Sequence, residues 1–212
     1  MPIGISKKKK KMIKEENLFR YGVKIFTLGS PELQVRCSEL TKEEIVSDPA
    51  VQQVITVSHQ ALRNFRKLEG FGRAIAAPQV GFLIRMIAMN LNGEEINIFN
   101  PTIIKKSDET ITMWDDCLSF PDLMCCVRRN KYISVQFLNS MGELVTWNDC
   151  DTDISELLQH EIDHLDGILA TERAVRPTII GGDSGISCEA IVDRSDWLLQ
   201  KEKYNRLVDF HY

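Results

Sequence analysis

No stretch of the chain approaches the roughly 18 consecutive apolar residues of a membrane-spanning helix, so the sequence predicts none. The charged start, residues 1–14, is followed by no apolar segment and is too poor in Arg and Ser for a usual organelle transit peptide. With no export signal, the expected compartment is the cytoplasm, where thiols stay reduced. Basic residues are in short supply beyond that start. With Lys7, Lys8, Lys9, Lys10, Lys11 and Lys14 set apart, 20 Lys and Arg face 30 Asp and Glu, a net charge of −10. An acidic body excludes nucleic acid as the main partner, because phosphate binding needs a basic face. The lysine run reads as a solvated, flexible tail. Six cysteines in 212 residues are too sparse for a disulfide-stapled miniprotein. Four histidines leave few candidates for metal binding. What is present, 43% apolar residues, suffices for one domain with a full core.

The pattern along the chain predicts an α+β fold: antiparallel strands around a central helix, with an N-terminal and a C-terminal helix. Thr41 and Glu44 form a capping-box pattern, and Asp48-Pro49 predicts a second start, as cap and first helical residue. Val51, Val54, Ile55, Ser58, Leu62 and Phe65 then make one apolar stripe up to Gly70. His59 lies beside that stripe and reads as a packed helix residue. Short β-rich runs follow at 83–89, 96–99, 110–113, 132–137 and 144–147, with turns at Asn92-Gly93 and Met141-Gly142. A helix over 154–166, with Asp153 as cap and Gly167 as stop, comes next. Gly181, Gly182 and Gly185 read as a loop, and a last helix is expected from about Cys188 to Leu207. The organisation expected is a tail (1–14), a catalytic domain (15–175), and a C-terminal loop and helix (176–212) belonging to that domain.

The sharpest local signal is His160-Glu161-Ile162-Asp163-His164. On a helix, positions i and i+4 share a face, so both imidazoles can reach one metal ion, and Glu161 is placed to act as a general base. By composition this pentad arises by chance about 0.006 times per chain, so an incidental surface pair is disfavoured. Two imidazoles do not complete a catalytic site, which commonly has three protein ligands. His211, Glu172, Glu189 or a cysteine could supply the third. Cys117 stands out in the polar turn Asp115-Asp116-Cys117-Leu118-Ser119. Cys37, Cys125 and Cys126 read as buried packing, and Cys150 and Cys188 carry no motif.

Three stretches resemble the signature motifs of the peptide deformylases. Residues 72–79 (GRAIAAPQ) are similar to G-x-G-x-A-A-P-Q, residues 115–119 (DDCLS) to E-G-C-L-S, and residues 159–167 (QHEIDHLDG) to Q-H-E-x-D-H-L-x-G. The run Leu28-Gly29-Ser30-Pro31-Glu32-Leu33 resembles the family's L-G-D-P-x-L, and the likeness spans roughly residues 20–175. The resemblance implies that Cys117, His160 and His164 bind one divalent metal, natively Fe²⁺, with Zn²⁺, Ni²⁺ or Co²⁺ as substitutes. It implies that Glu161 takes a proton from the attacking water and delivers it to the leaving amine. Gln79 and the backbone N–H of Leu118 would hold the developing oxyanion. The implied partner is an N-formylated peptide or nascent-chain N-terminus, and the product is formate. Nothing in the sequence supports a particular ribosome contact. A non-catalytic binding protein on the same scaffold is the alternative, and a metalloprotease fits less well.

The departures from the family pattern concern the substrate cleft, where Gly72, Arg73, Ala74, Asp115, Asp116, Glu156 and Leu157 are the expected lining. Arg73 and Glu156 stand where the family has apolar residues. Ala74 replaces a glycine, and Asp115-Asp116 replaces Glu-Gly. Glu156 is one turn before His160, on the metal-facing side. A carboxylate buried there needs a partner: Arg73, a histidine N–H, or a cationic substrate group. These changes lead to the expectation of altered preference for formyl-methionine.

Overall fold

Local signals set the helix starts. The computed structural model describes residues 21–177 and 188–211. The basic tail and the Gly181–Gly185 loop lie outside them. Thr41 and Glu44 make the reciprocal capping box of α1 (Lys42–Ser47), and Asp48 then caps α2 (Pro49–Glu69) by accepting from the Ala50 N–H. Gly70, at φ 81°, ends α2. Val51, Val54, Ser58, Leu62 and Phe65 are buried on its inner face, as the stripe predicts. His59 is a packed residue, with Nε2 2.8 Å from Asn97 Oδ1.

Two antiparallel sheets form the body. The larger has the order β1-β2-β3-β6-β7, from β1 (Ala74–Ala76), β2 (Met86–Leu91), β3 (Glu94–Lys106), β6 (Ile133–Leu138) and β7 (Leu144–Cys150). The smaller has the order β4-β5-β8, from β4 (Thr110–Asp115), β5 (Leu123–Asn130) and β8 (Ile191–Asp193). The expected turn at Asn92-Gly93 joins β2 to β3, with Leu91 opposite Glu94. The Met141-Gly142 turn joins β6 to β7.

Helix α3 (Thr152–Leu165) touches both sheets, packing on β1 and β7 of the larger and β5 of the smaller. Its cap is Asp151, which accepts from the Ile154 N–H; the predicted Asp153 lies inside the first turn and instead binds Arg73. Leu158 and Leu165 bury completely against the larger sheet, in the cluster that holds Ile87, Ile98 and Val135.

Two strands escaped the sequence pattern, and one expected element is corrected. Strand β1 hides inside the first motif, where three consecutive small or apolar residues, all buried, show no alternation. Strand β5 runs through the cysteine pair, which does prove buried. The long C-terminal helix is instead strand β8 followed by two short helices, α4 (Arg194–Leu199) and α5 (Lys201–Asn205). The β-branched pair Ile191-Val192 finds a partner in β5, and that pairing overrides the local helical pattern. Trp197, Tyr204, Leu207 and Val208 then bury against Trp114, Met124 and Cys126. The tail of the chain is thus part of the core. Among the described residues, no helix is long and apolar enough to cross a membrane.

Candidate metal centre and peptide cleft

Helical spacing, a strand end and a tight turn bring the site together. His160 and His164 lie one turn apart on α3, with ring centroids 5.0 Å apart. Cys117 lies two residues beyond the end of β4. Their donor atoms all fall within 4.8 Å of one another, and all three side chains are buried. Cys117 Sγ is 3.2 Å from His164 Nε2. Glu172, by contrast, is turned to the Leu169 N–H.

Two of the three donors, His160 and Cys117, are oriented from behind. His160 Nδ1 is 2.9 Å from Asp115 Oδ2, which leaves Nε2 to face the centre. Arg129, on β5, donates to Asp115 at 3.2 Å and also to Asp163, so one buried guanidinium ties the strand to the helix. Arg173 holds Asp163 from the other side at 2.9 Å. The Cys117 sulfur receives the Ser119 N–H at 3.4 Å and the Gln79 amide at 3.5 Å. Gln79 sits in a 3-10 turn after β1, where its Oε1 accepts from the Ala76 N–H; its NH₂ therefore points at Cys117 and Ser119.

Burial pushes the Cys117 thiol pKa up, partly offset by His160. Burial also works against a charged His160, but Asp115 and Cys117 outweigh it and hold that imidazole well above its usual range. His164 is driven well below its usual range by burial and by His160. Burial raises Glu161 to about 7, against the pull of His160. Glu161 Oε2 and His164 Nδ1 are buried without a hydrogen-bond partner. One thiolate and two imidazoles converging on a point, with a spare carboxylate oxygen beside them, are a donor set that fits a divalent transition metal.

In front of the centre lies a cleft of about 270 Å³, lined by all the expected residues: Gly72, Arg73, Ala74, Gln79, Asp115, Asp116, Cys117, Leu118, Glu156, Leu157, His160 and Glu161. Gly72 has φ 104°, and a Cβ there would stand 3.3 Å from Leu118 Cδ1, so a side chain would narrow the cleft. Glu156 is buried and paired with Arg73, which also reaches Asp153 Oδ1 at 2.8 Å. Arg73 is therefore the partner among the three weighed from the sequence. Asp115 lines the cleft, but its carboxylate is directed to His160 and Arg129 rather than left for substrate. Sequence reasoning missed Arg129 and Asp163. Arg129 is buried on β5 two residues beyond Val127, but Leu123 to Val127 are all buried and Arg128 stands beside it, so no alternation marked it in the sequence.

A Cys-His-His donor set, a carboxylate at its side and an adjoining cleft are the equipment of a metallohydrolase. The family model for polypeptide deformylases matches residues 23–178. A peptide deformylase of Thermotoga neapolitana is 32% identical over 153 residues, which is 72% of this chain and 86% of that protein. The peptide deformylase of Acinetobacter baumannii bound to Met-Ala-Ser superposes with TM-score 0.63 at 28% identity, over 71% of this chain and 97% of that one. That of Ehrlichia chaffeensis in complex with actinonin gives TM-score 0.64 at 25% identity, over 72% and 88%. This chain belongs to the peptide deformylase family, metallohydrolases that remove the formyl group from peptide N-termini.

Proposed function

We propose that Cys117, His160 and His164 hold one divalent ion, Fe²⁺ natively, and that the adjoining cleft presents the N-formyl end of a peptide to it. The observation that carries this reading is the buried carboxylate of Glu161 beside three converging donors. A divalent ion held there supplies Lewis-acid chemistry, acidifying a water and polarising a carbonyl oxygen. Glu161 takes the proton of the attacking water and passes it to the leaving amine. The Gln79 NH₂ group, with its oxygen fixed by Ala76, and the Leu118 N–H stabilise the charge that develops on the formyl oxygen. The products are formate and a free N-terminal amine.

The first side chain of the peptide meets Arg73, Glu156 and Leu157. Arg73 and Glu156 make this wall an ion pair, and Asp153, outside the lining, holds Arg73 as well. The wall favours a polar or cationic side chain over methionine, because an apolar group would desolvate the ion pair without replacing its hydration. Replacing Arg73 and Glu156 together by isoleucine should raise kcat/KM for formyl-Met peptides about tenfold. Glu156→Ile alone should do less, because Arg73 would remain paired to Asp153. Steady-state formate release from formyl-Met, formyl-Lys and acetyl-Met peptides checks both points. High wild-type activity on formyl-Met, unimproved in the double variant, would sink the specificity reading.

A further inference from the structure

The metal end of the cleft is buried, and exposure increases toward its mouth, where Phe71, Gly72, Arg73 and Asp116 are half-buried and Arg66 and Gly70 are exposed. A peptide longer than its formylated residue would leave past this part of the lining. The two rims come from distant parts of the chain: Phe71 from the turn between α2 and β1, and Asp116 from the turn after β4. One residue joins them. Arg194, the first residue of α4, donates from Nη1 to Asp116 Oδ2 at 2.6 Å, and its guanidinium carbon lies 3.5 Å from the centre of the Phe71 ring. Phe71 also packs in a T-shaped contact with Phe65, the ring centres 5.0 Å apart.

Arg194 is itself firmly placed. Its backbone N–H donates to Asp122 at 2.8 Å, directly after β8 pairs with β5. Its Nη1 also touches Met124 Sδ at 3.5 Å. The planar guanidinium can meet a carboxylate at its edge and an aromatic ring on its face at the same time, which an ammonium cannot do.

We infer that Arg194 is a positioning residue of the peptide cleft, through which the C-terminal segment sets affinity for the residues that follow the formylated one. It holds the carboxylate of Asp116 and the ring of Phe71 at fixed separation, so the mouth is preorganised for an extended chain. The inference rests on the formyl-peptide reading above.

The test compares formyl-X-amide with formyl-X-Ala-Ser on the metal-loaded protein, X being Met or Lys, whichever wild type turns over faster. Arg194→Ala should raise KM for the tripeptide about tenfold, leave its kcat within about twofold, and leave the one-residue substrate unaffected. Arg194→Lys, which keeps the ion pair but not the flat stack, should recover only part of the loss. Adding Asp116→Ala to Arg194→Ala should worsen the tripeptide KM little further, because the two act as one unit. Equal changes for both substrates, a fall in kcat alone, or wild-type behaviour of Arg194→Ala would overturn the inference. If Arg194→Ala fails to fold, the lysine variant alone decides, by the same KM difference. If wild type releases no formate from either substrate, the formyl-peptide reading fails, and calorimetric binding of unformylated Met-Ala-Ser decides for Arg194. A wild type that binds this tripeptide more tightly than Arg194→Ala upholds the rim role; equal or absent binding removes it.

Discussion

Glu161→Gln should lower kcat for formate release by 10²- to 10⁴-fold, about the size of a general acid–base contribution, while metal content stays at the wild-type level. The side chain keeps its shape but can neither accept the proton of the attacking water nor return it to the amine. The same substitution should stabilise the metal-free protein, with a defined pH dependence. Burial raises the Glu161 pKa from 4.5 to about 7 on folding. The folded state therefore binds this proton more tightly than the unfolded chain does. No penalty exists below about pH 4.5, where both states are protonated, and the full penalty, about 3 kcal/mol, is present above about pH 7. Glutamine has no such penalty. Thermal unfolding of the metal-free proteins should show the variant ahead by roughly 5–10 °C at pH 8, with the gain fading toward pH 4. A pH-independent difference would remove this account of Glu161, and undiminished turnover would remove its role as base.

Cys117→Ala should weaken metal binding by more than about 100-fold and activity with it, whereas Asp115→Asn, acting through His160, should weaken it by about 10- to 100-fold. The thiol is buried and its pKa raised, so binding the ion must expel its proton. Apparent metal affinity should therefore rise with pH across the neutral range in wild type, and rise less steeply in Cys117→Ala. Anaerobic competition against a chromophoric chelator measures both quantities, and metal analysis after anaerobic purification tests the assignment of Fe²⁺. Wild-type affinity in Cys117→Ala would exclude it as a ligand. The other five described cysteines, Cys37, Cys125, Cys126, Cys150 and Cys188, do not line the cleft and are free thiols, with burial pushing Cys37 up to about 11 and Cys126 up to about 12. They belong to packing rather than to the centre.

Much of this molecule was determined by features that act within one turn or one hairpin. The spacing His160–His164 places two imidazoles on one helix face wherever that helix packs, because helical geometry is local. The capping box at Thr41, the Asp48-Pro49 start and the Asn92-Gly93 turn are equally local, and each appears where the sequence predicts it. The third candidate ligand was less local. Cys117 is distant in sequence; its polar turn set it apart from the other cysteines, and the motif resemblance joined it to the two histidines. The residues around these three side chains were legible as types more than as settled partners. Arg73 and Glu156 stood out as charges in apolar positions and Arg73 was one of three partners open to Glu156, but the choice among them rests on a pairing that joins a sheet edge to a helix more than 80 residues on. Asp115 was expected to face substrate, and its contact with His160 and Arg129 emerges only where β4, β5 and α3 meet. Arg194 carried no sequence signal, because the strand that places it forms only against β5. Local sequence determined which side chains could do chemistry here. Tertiary structure decided which charges neutralise one another, since a buried charge takes whichever partner the packing of distant segments brings within reach.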